Sequence, residues 1–174
     1  MQKHILPLFW CLIIFTSSSV KSTSEELKWS SLNEVSVKLK QHQKPVLIDL
    51  YTDWCRWCKV MDKKTYGNQK VIDYLTENFY VAKVNAETKE SLMWNTKTYS
   101  YNNNYHINEF SLYATNGRPG FPTTVILTSE NSTPVSISGF LEPKELEPIL
   151  KYFGNGEYQT KTFPDYNKTF KASW

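Results

Sequence analysis

Cys55 and Cys58 form the C-x-x-C pair of this chain and are its residues best suited to covalent chemistry. When such a pair straddles the start of a helix it closes a small disulfide ring, and the first thiol sits near the helix N-terminus. Unpaired N–H groups and the helix dipole stabilise a thiolate there, and the thiolate is the attacking species in disulfide exchange. Arg56 and Lys59 add positive charge that acts in the same direction. Cys55 is therefore the candidate nucleophile, and Cys58, one turn inward, the candidate resolving thiol. Zinc also uses this spacing, but with a second Cys or His pair. Here His42 and His106 stand alone. A purely structural disulfide is the other reading. It leaves unexplained why the pair follows an apolar strand and precedes a helix.

The start of the chain decides the redox setting. Met1 to His4 carries one lysine, Ile5 to Phe15 is almost wholly apolar, and Thr16 to Ser22 is rich in small residues. That is the order of a secretory signal, and the apolar run is short for a membrane span. Cleavage is expected after Ser22 or near Ser19, with an uncleaved anchor as the alternative. Loss of residues 1–22 removes Cys11, Lys3 and Lys21, leaving two cysteines and lowering the net charge from +3 to +1. An exported chain meets oxidising conditions, and one local pair is no disulfide framework. So small a net charge, without Lys/Arg-rich runs, argues against a nucleic-acid partner.

The elements that must position the pair can be read from periodicity and caps. Residues 23–30 are polar and read as a flexible lead-in. Ser31 and Glu34 form a capping-box pattern, and Leu32, Val35 and Leu39 share a helical face, so a helix is expected from about Leu32 to Gln41. Val46 to Tyr51 reads as a buried parallel strand in which Asp49 is out of place. Lys59 to Tyr66 reads helical, Val71 to Leu75 helical again, and Phe79 to Val84 as a strand. Residues 86–107 have no clean period and read as a solvated loop or short helix with packed tyrosines, or as a substrate-facing insertion. Ile107 to Ala114 is expected as a helix. Thr123 to Thr128 and Val135 to Ser138 are expected as an antiparallel hairpin. A last helix opens at Pro143 and bends at Pro148, or starts near Glu147; Gly154 fits its C-cap. Residues 154–174 form an aromatic tail expected to wrap over the domain or to bind a partner.

Val46 to Lys59, an apolar strand with an embedded acid followed by Trp54-Cys55-Arg56-Trp57-Cys58-Lys59, resembles the active-site segment of the thioredoxin superfamily. Gly120-Phe121-Pro122-Thr123 resembles the family's G-x-P-T loop, and Gly139-Phe140 before the last helix sits as the family has it. The likeness covers about residues 31–153 and is nearest to the C-terminal domain of DsbD-type electron carriers and related exported bacterial proteins. It implies an α/β thioredoxin fold: a central mixed sheet flanked by helices, with an insertion before a cis-Pro loop. The domain would span 23–153, with the insertion at about 86–107.

The resemblance also implies roles. Pro122 would be cis and face the cysteine pair, with the backbone of Phe121 free to pair with a substrate strand. Asp49 would lie beneath the disulfide and act on the Cys58 proton, and burial would raise its pKa toward neutrality. Trp54 would flank the site. The plain alternatives are a hydrogen-bonded core acid at Asp49, a trans turn at Pro122 and core packing at Trp54. Two departures stand out. Arg56-Trp57 replaces the Gly-Pro of thioredoxins proper and would tune the redox poise, and the stretch from Asn85 to Ile107 is longer than in a minimal thioredoxin. Strong oxidants of this fold often carry a His beside the second cysteine; its absence favours a reductant.

The expected protein is a monomeric, exported thiol–disulfide oxidoreductase, periplasmic or secreted. It would need no cofactor or resident metal, reduce disulfide-bonded proteins and receive electrons from a DsbD-type membrane donor. The alternatives are a disulfide oxidase or isomerase, a copper-handling protein that adds Met61 or His106 to the thiolates, and a partner-binding thioredoxin fold.

Overall fold

The computed structural model describes residues 26–174; the expected signal segment and Cys11 lie outside them. The chain runs α1 (Leu32–Gln41), β1 (Val46–Tyr51), α2 (Arg56–Lys64), α3 (Gln69–Asn78) and β2 (Tyr80–Asn85). Two small hairpins follow, β3 (Leu92–Trp94) with β4 (Lys97–Tyr99) and β5 (Tyr101–Asn102) with β6 (Ile107–Asn108). The rest is α4 (Glu109–Ala114), β7 (Thr123–Leu127), β8 (Val135–Ser138), α5 (Pro143–Gly154), a 3-10 turn (Glu157–Gln159) and α6 (Phe163–Thr169).

The main sheet has the order β2-β1-β7-β8. β1 runs parallel to β2 and antiparallel to β7, and β7 is antiparallel to β8, so the sheet is mixed. Alternate residues of β1 point to opposite faces. Leu47 enters a core with Met61 of α2, Leu75 of α3 and Leu146 of α5. Val46, Ile48 and Leu50 enter a second core with Val35 and Leu39 of α1 and Phe110 of α4. Burial on both faces is why β1 reads as a continuous apolar run. α1 starts and ends where its sequence places it. The Ser31 hydroxyl accepts from the Glu34 N–H at 3.3 Å, and the Ser31 N–H donates to the Glu34 carboxylate at 2.7 Å.

Four stretches differ from their sequence reading, two because of distant partners and two because of local helix caps. Residues 26–30 are packed: Leu27 is buried, and the Ser30 N–H donates to the Val81 carbonyl at 2.9 Å, beside β2. Residues 86–107 hold the two hairpins in place of a loop or short helix. Fully buried Trp94 and nearly buried Tyr99 pack toward Phe110, so aromatic burial orders a segment of low periodicity. The helix expected from Ile107 begins at Glu109, because Asn108 caps it through the Phe110 N–H at 3.0 Å. Phe79 caps α3 and lies outside β2.

α5 does begin at Pro143 and continues through Pro148. Its cap is Asn155, and Gly154 belongs to the helix. A Cβ at 154 would lie 2.7 Å from the Tyr74 hydroxyl and 3.0 Å from the Phe79 ring, so a larger residue there would displace these side chains. The residues after it pack on the domain. Tyr166 is buried, and Tyr152 meets Phe163 and Tyr166 with ring centroids 5.3 Å apart in each case. The chain end is held by Glu147, whose buried carboxylate accepts from Lys151 Nζ at 2.8 Å, the Ser173 N–H at 2.8 Å and the Trp174 N–H at 3.2 Å.

Burial pushes the Glu147 carboxyl up, but these hydrogen bonds outweigh it and hold the group below its ordinary 4.5. A lowered native pKa adds stability that is present above the unfolded-state value and is lost as pH falls through the native one. Glu147→Gln is expected to lose about 2 kcal/mol in urea denaturation at neutral pH, the scale of hydrogen bonds to a charged group. The difference from the parent shrinks once the pH falls below 4.5.

Candidate redox site

The site is built where β1 hands the chain to α2. After Tyr51 the chain turns through Thr52-Asp53-Trp54, closed by the Cys55 N–H donating to the Thr52 carbonyl at 3.1 Å. Cys55 is the N-cap of α2, and its sulfur accepts from the Cys58 N–H at 3.0 Å. Cys55 and Cys58 form a disulfide, and both are buried. A cap position gives Cys55 the unpaired N–H groups and the positive end of the helix dipole, the setting that stabilises a thiolate. Arg56, Trp57 and Lys59 project outward from the first turn and are exposed.

The Phe121–Pro122 peptide is cis. The Gly139 N–H donates to the Pro122 carbonyl at 2.8 Å, and Gly139 holds a φ of +106°, which an L side chain rarely adopts. This pins the cis-Pro loop to the turn before α5. Trp57, Phe121, Pro122, Gly139 and Phe140 line an open cleft of about 420 Å³. Trp57 packs on Phe140 with ring centroids 5.6 Å apart. Trp54 is 68% exposed, so it is a rim residue and no part of the core. Its indole N–H donates to Glu87 at 2.9 Å, and its ring meets Phe121 edge-on at 6.3 Å. The structure therefore brings the cysteine helix, both tryptophans and the cis-Pro loop to one end of the sheet.

Asp49 lies below this end, buried on the β1 face that carries Leu47. Its neighbours across the sheet are Lys83 on β2 and Thr124 on β7. Lys83 Nζ is 3.0 Å from the Asp49 carboxylate and also donates to Asp62 of α2, one turn beyond Cys58. Desolvation raises the Asp49 pKa to about 6, against the opposing pull of Lys83. Burial alone would lower the Lys83 pKa, but Asp49 and Asp62 reverse that and hold it above its ordinary 10.5. Tyr66, its hydroxyl 3.2 Å from Thr124 Oγ1, is pushed well above the usual phenol range, first by burial and then by Asp49.

Sequence reasoning singled out Asp49 and missed Lys83, Asp62 and Glu87. A signal for Lys83 exists: it is a charge embedded in Val81-Ala82-Lys83-Val84, as Asp49 is in its own strand. The candidate copper ligands fall on different elements, Met61 on α2 one turn beyond Cys58 and His106 in a distant part of the sequence. Met61 is buried in the core, and His106 lies in the exposed turn between β5 and β6.

A capping cysteine disulfide, a cis-Pro loop beside it and a mixed four-stranded sheet with helices on both faces define a thioredoxin fold with a C-x-x-C redox centre. The chain belongs to the thioredoxin-like domain family, which it matches over residues 32–154. Among curated proteins it is similar to the thiol:disulfide interchange protein DsbD of Campylobacter jejuni, 21% identical over 135 residues, covering 74% of this chain and 20% of that one. The chain spans about a fifth or less of the length of the first curated relatives it matches. Among solved structures it resembles a thioredoxin-fold protein from Helicobacter pylori, with 19% identity, a TM-score of 0.57 and coverage of 82% of this chain and 83% of that one. It also resembles the DsbH oxidoreductase, with 18% identity, a TM-score of 0.54 and coverage of 76% and 87%. At these identities the solved structures establish the fold.

The Asp49 environment gives a stability test. A carboxyl held at about 6 in the native state, against its ordinary 3.8, binds its proton more tightly than the unfolded chain does. Its contribution is fully favourable below the unfolded value and is lost as pH rises through the native one, a loss of about 3 kcal/mol at 1.36 kcal/mol per unit. Asp49→Asn should therefore be more stable than the parent by about 3 kcal/mol at pH 8, and by almost nothing near pH 4. Paired urea titrations of the oxidised proteins at the two pH values measure this.

Proposed function

We propose that this protein is an exported thiol–disulfide oxidoreductase that reduces disulfides of protein substrates and is recharged by a membrane electron donor of the DsbD type. The observation that carries the reading is Cys55 at the cap of α2, joined to Cys58 and set at the same end of the sheet as the cis-Pro cleft. The similarity to the Campylobacter thiol:disulfide interchange protein supports the same class of reaction. Among the described residues no helix is long and apolar enough to cross a membrane. Export rests on the leader pattern of residues 1–22.

In the reduced protein the Cys55 thiolate attacks one sulfur of a substrate disulfide. A Cys55–substrate disulfide forms, and the other substrate sulfur leaves as a thiolate that takes up a proton. Asp49, with a pKa of about 6, accepts the Cys58 proton near neutrality. The Cys58 thiolate attacks the Cys55 sulfur, the second substrate thiol leaves, and the protein holds the Cys55–Cys58 disulfide. Two electrons have passed to the substrate. A dithiol donor reverses the sequence. Arg56 and Lys59 favour the thiolate at Cys55, and Trp57 shapes the surface beside it.

The substrate segment pairs with the backbone of Phe121, which makes no hydrogen bond to other backbone in the described residues. Trp54 and Pro122 border that segment. Its side chain next to the cysteine enters the Trp57–Phe140 cleft, which favours a large apolar residue there.

Two experiments check this reading. Cys58→Ser, expressed with its exported neighbours, should accumulate substrate disulfides through Cys55 that reductant dissolves, and Cys55→Ser should accumulate none. Equal trapping by both variants, or by neither, contradicts the mechanism. Trp57→Ala should lower kcat/KM about tenfold for peptide disulfides with an aromatic residue beside the cysteine, the scale of a lost apolar pocket contact. Glycine-flanked peptides should lose less, so the preference for the aromatic residue falls.

A further inference from the structure

Four side chains enclose the ammonium of Lys83. Asp49 lies at 3.0 Å, and Asp62 accepts a hydrogen bond. The Tyr51 ring centroid is 5.0 Å away, and the Trp29 ring centroid is 5.3 Å away. Trp29 belongs to the segment that leads into α1, anchored beside β2 by Ser30 and in the core by Leu27. Its ring also meets Tyr66 edge-on at 4.9 Å. A cleft of about 520 Å³ opens at this point, lined among others by Glu26, Trp29, Asp62, Tyr66 and Lys83. Asp49 is absent from its wall. It is 2% exposed, whereas the Lys83 and Asp62 side chains are 20% and 40% exposed.

Lys83 thus has two acidic partners of different character. Asp49 is buried and attracts the ammonium across a medium of low dielectric. Asp62 sits at the cleft and holds the ammonium nearer to water. Lys83 bridges the two, in contact with both carboxylates at once. An indole face attracts a cation, and most strongly when the cation is partly desolvated. We infer that Trp29 is a positioning residue for Asp49: its ring helps hold the Lys83 ammonium where it bridges Asp49 and Asp62, and so sets the proton affinity of the buried carboxylate. The inference rests on the proposed role of Asp49 only for its consequence in turnover, not for the placement itself.

The direction of the effect follows from the groups that face Asp49. Lys83 is the cation among them, Asp62 the second acid, and Tyr66 a phenol that stays neutral. Glu26 lies only on the outer wall of the cleft. With the ring removed, the ammonium keeps its partner Asp62 at the cleft and swings toward water, Asp49 loses its cationic neighbour, and its protonated form is favoured. Extra hydration acts the other way, but water entering the cleft meets Lys83 and Asp62 before Asp49.

The test is a carbon-13 titration of the Asp49 carboxyl in the oxidised full chain. Trp29→Leu, which keeps apolar bulk and removes the π face, should raise the Asp49 midpoint by about one unit, a tenfold change in proton affinity. Trp29→Phe should restore most of the parent value. Lys83→Met should raise the midpoint at least as far, and adding Trp29→Leu to it should change nothing further. An unchanged or lowered midpoint in a folded Trp29→Leu protein overturns the inference, and so does an additive shift in the double variant. A variant that loses stability without moving the midpoint makes Trp29 a packing residue only, and also overturns it. The titration is read on the resting disulfide, so its outcome is independent of whether the pair reduces substrates. A carboxyl shift with an unmoved pH profile of insulin reduction supports the positioning role and counts against Asp49 as the base.

Discussion

A carboxylate in the middle of a buried strand is the constraint around which this fold is arranged. Asp49 is flanked in β1 by Ile48 and Leu50 and lies between β2 and β7. A charge in such a place is costly unless it is paired and hydrogen-bonded or gives up its ionisation. The protein does some of both. Lys83 reaches across the parallel strand pair, and desolvation still raises the carboxyl to about 6. The ammonium then needs its own surroundings, which α2 supplies through Asp62 and the leading segment through Trp29. β1, β2, α2 and the segment before α1 are thereby tied to one polar cluster.

The upper half of the site depends on a different kind of order. Cys55 can cap α2 because the Thr52–Cys55 turn closes on itself and β1 is fixed on both faces. The cis-Pro loop is held by hydrogen bonds that involve Gly139, Thr123 and Ser138. Aromatic contacts from Trp54 to Phe121 and from Trp57 to Phe140 join the two loops across the opening. Both tryptophans are exposed at the rim of this opening, and the proposed function uses that rim to receive an incoming segment.

Much of this was legible in the chain because the signals are local. Ser31 and Glu34 fix the start of α1, Val46 to Tyr51 reads as a doubly covered strand, and the C-x-x-C spacing implies a helix N-terminus. The resemblance carried the rest of the site, including the cis-Pro loop. What stayed hidden depends on tertiary partners. Leu27 and Trp29 sit in a polar stretch, and only the sheet edge and Tyr66 order them. Trp94 and Tyr99 have no periodic neighbours, yet burial against Phe110 turns their segment into hairpins. Glu147 stands out in the sequence only as a possible start of the last helix, and only the returning chain end explains its burial. Lys83 could have been paired with Asp49 by asking which other strand carries a charge at its centre.

The account stands or falls on whether the Cys55–Cys58 pair exchanges electrons at a potential suited to a reductant. Equilibration in graded dithiol buffers, with free thiols counted by alkylation, measures this directly. The account predicts a value near that of thioredoxin, about −270 mV, which would require an electron donor in an oxidising compartment. A value near about −120 mV would make the protein an oxidant, and a pair that stays oxidised well below about −300 mV would be a structural disulfide. Either of these results would contradict it.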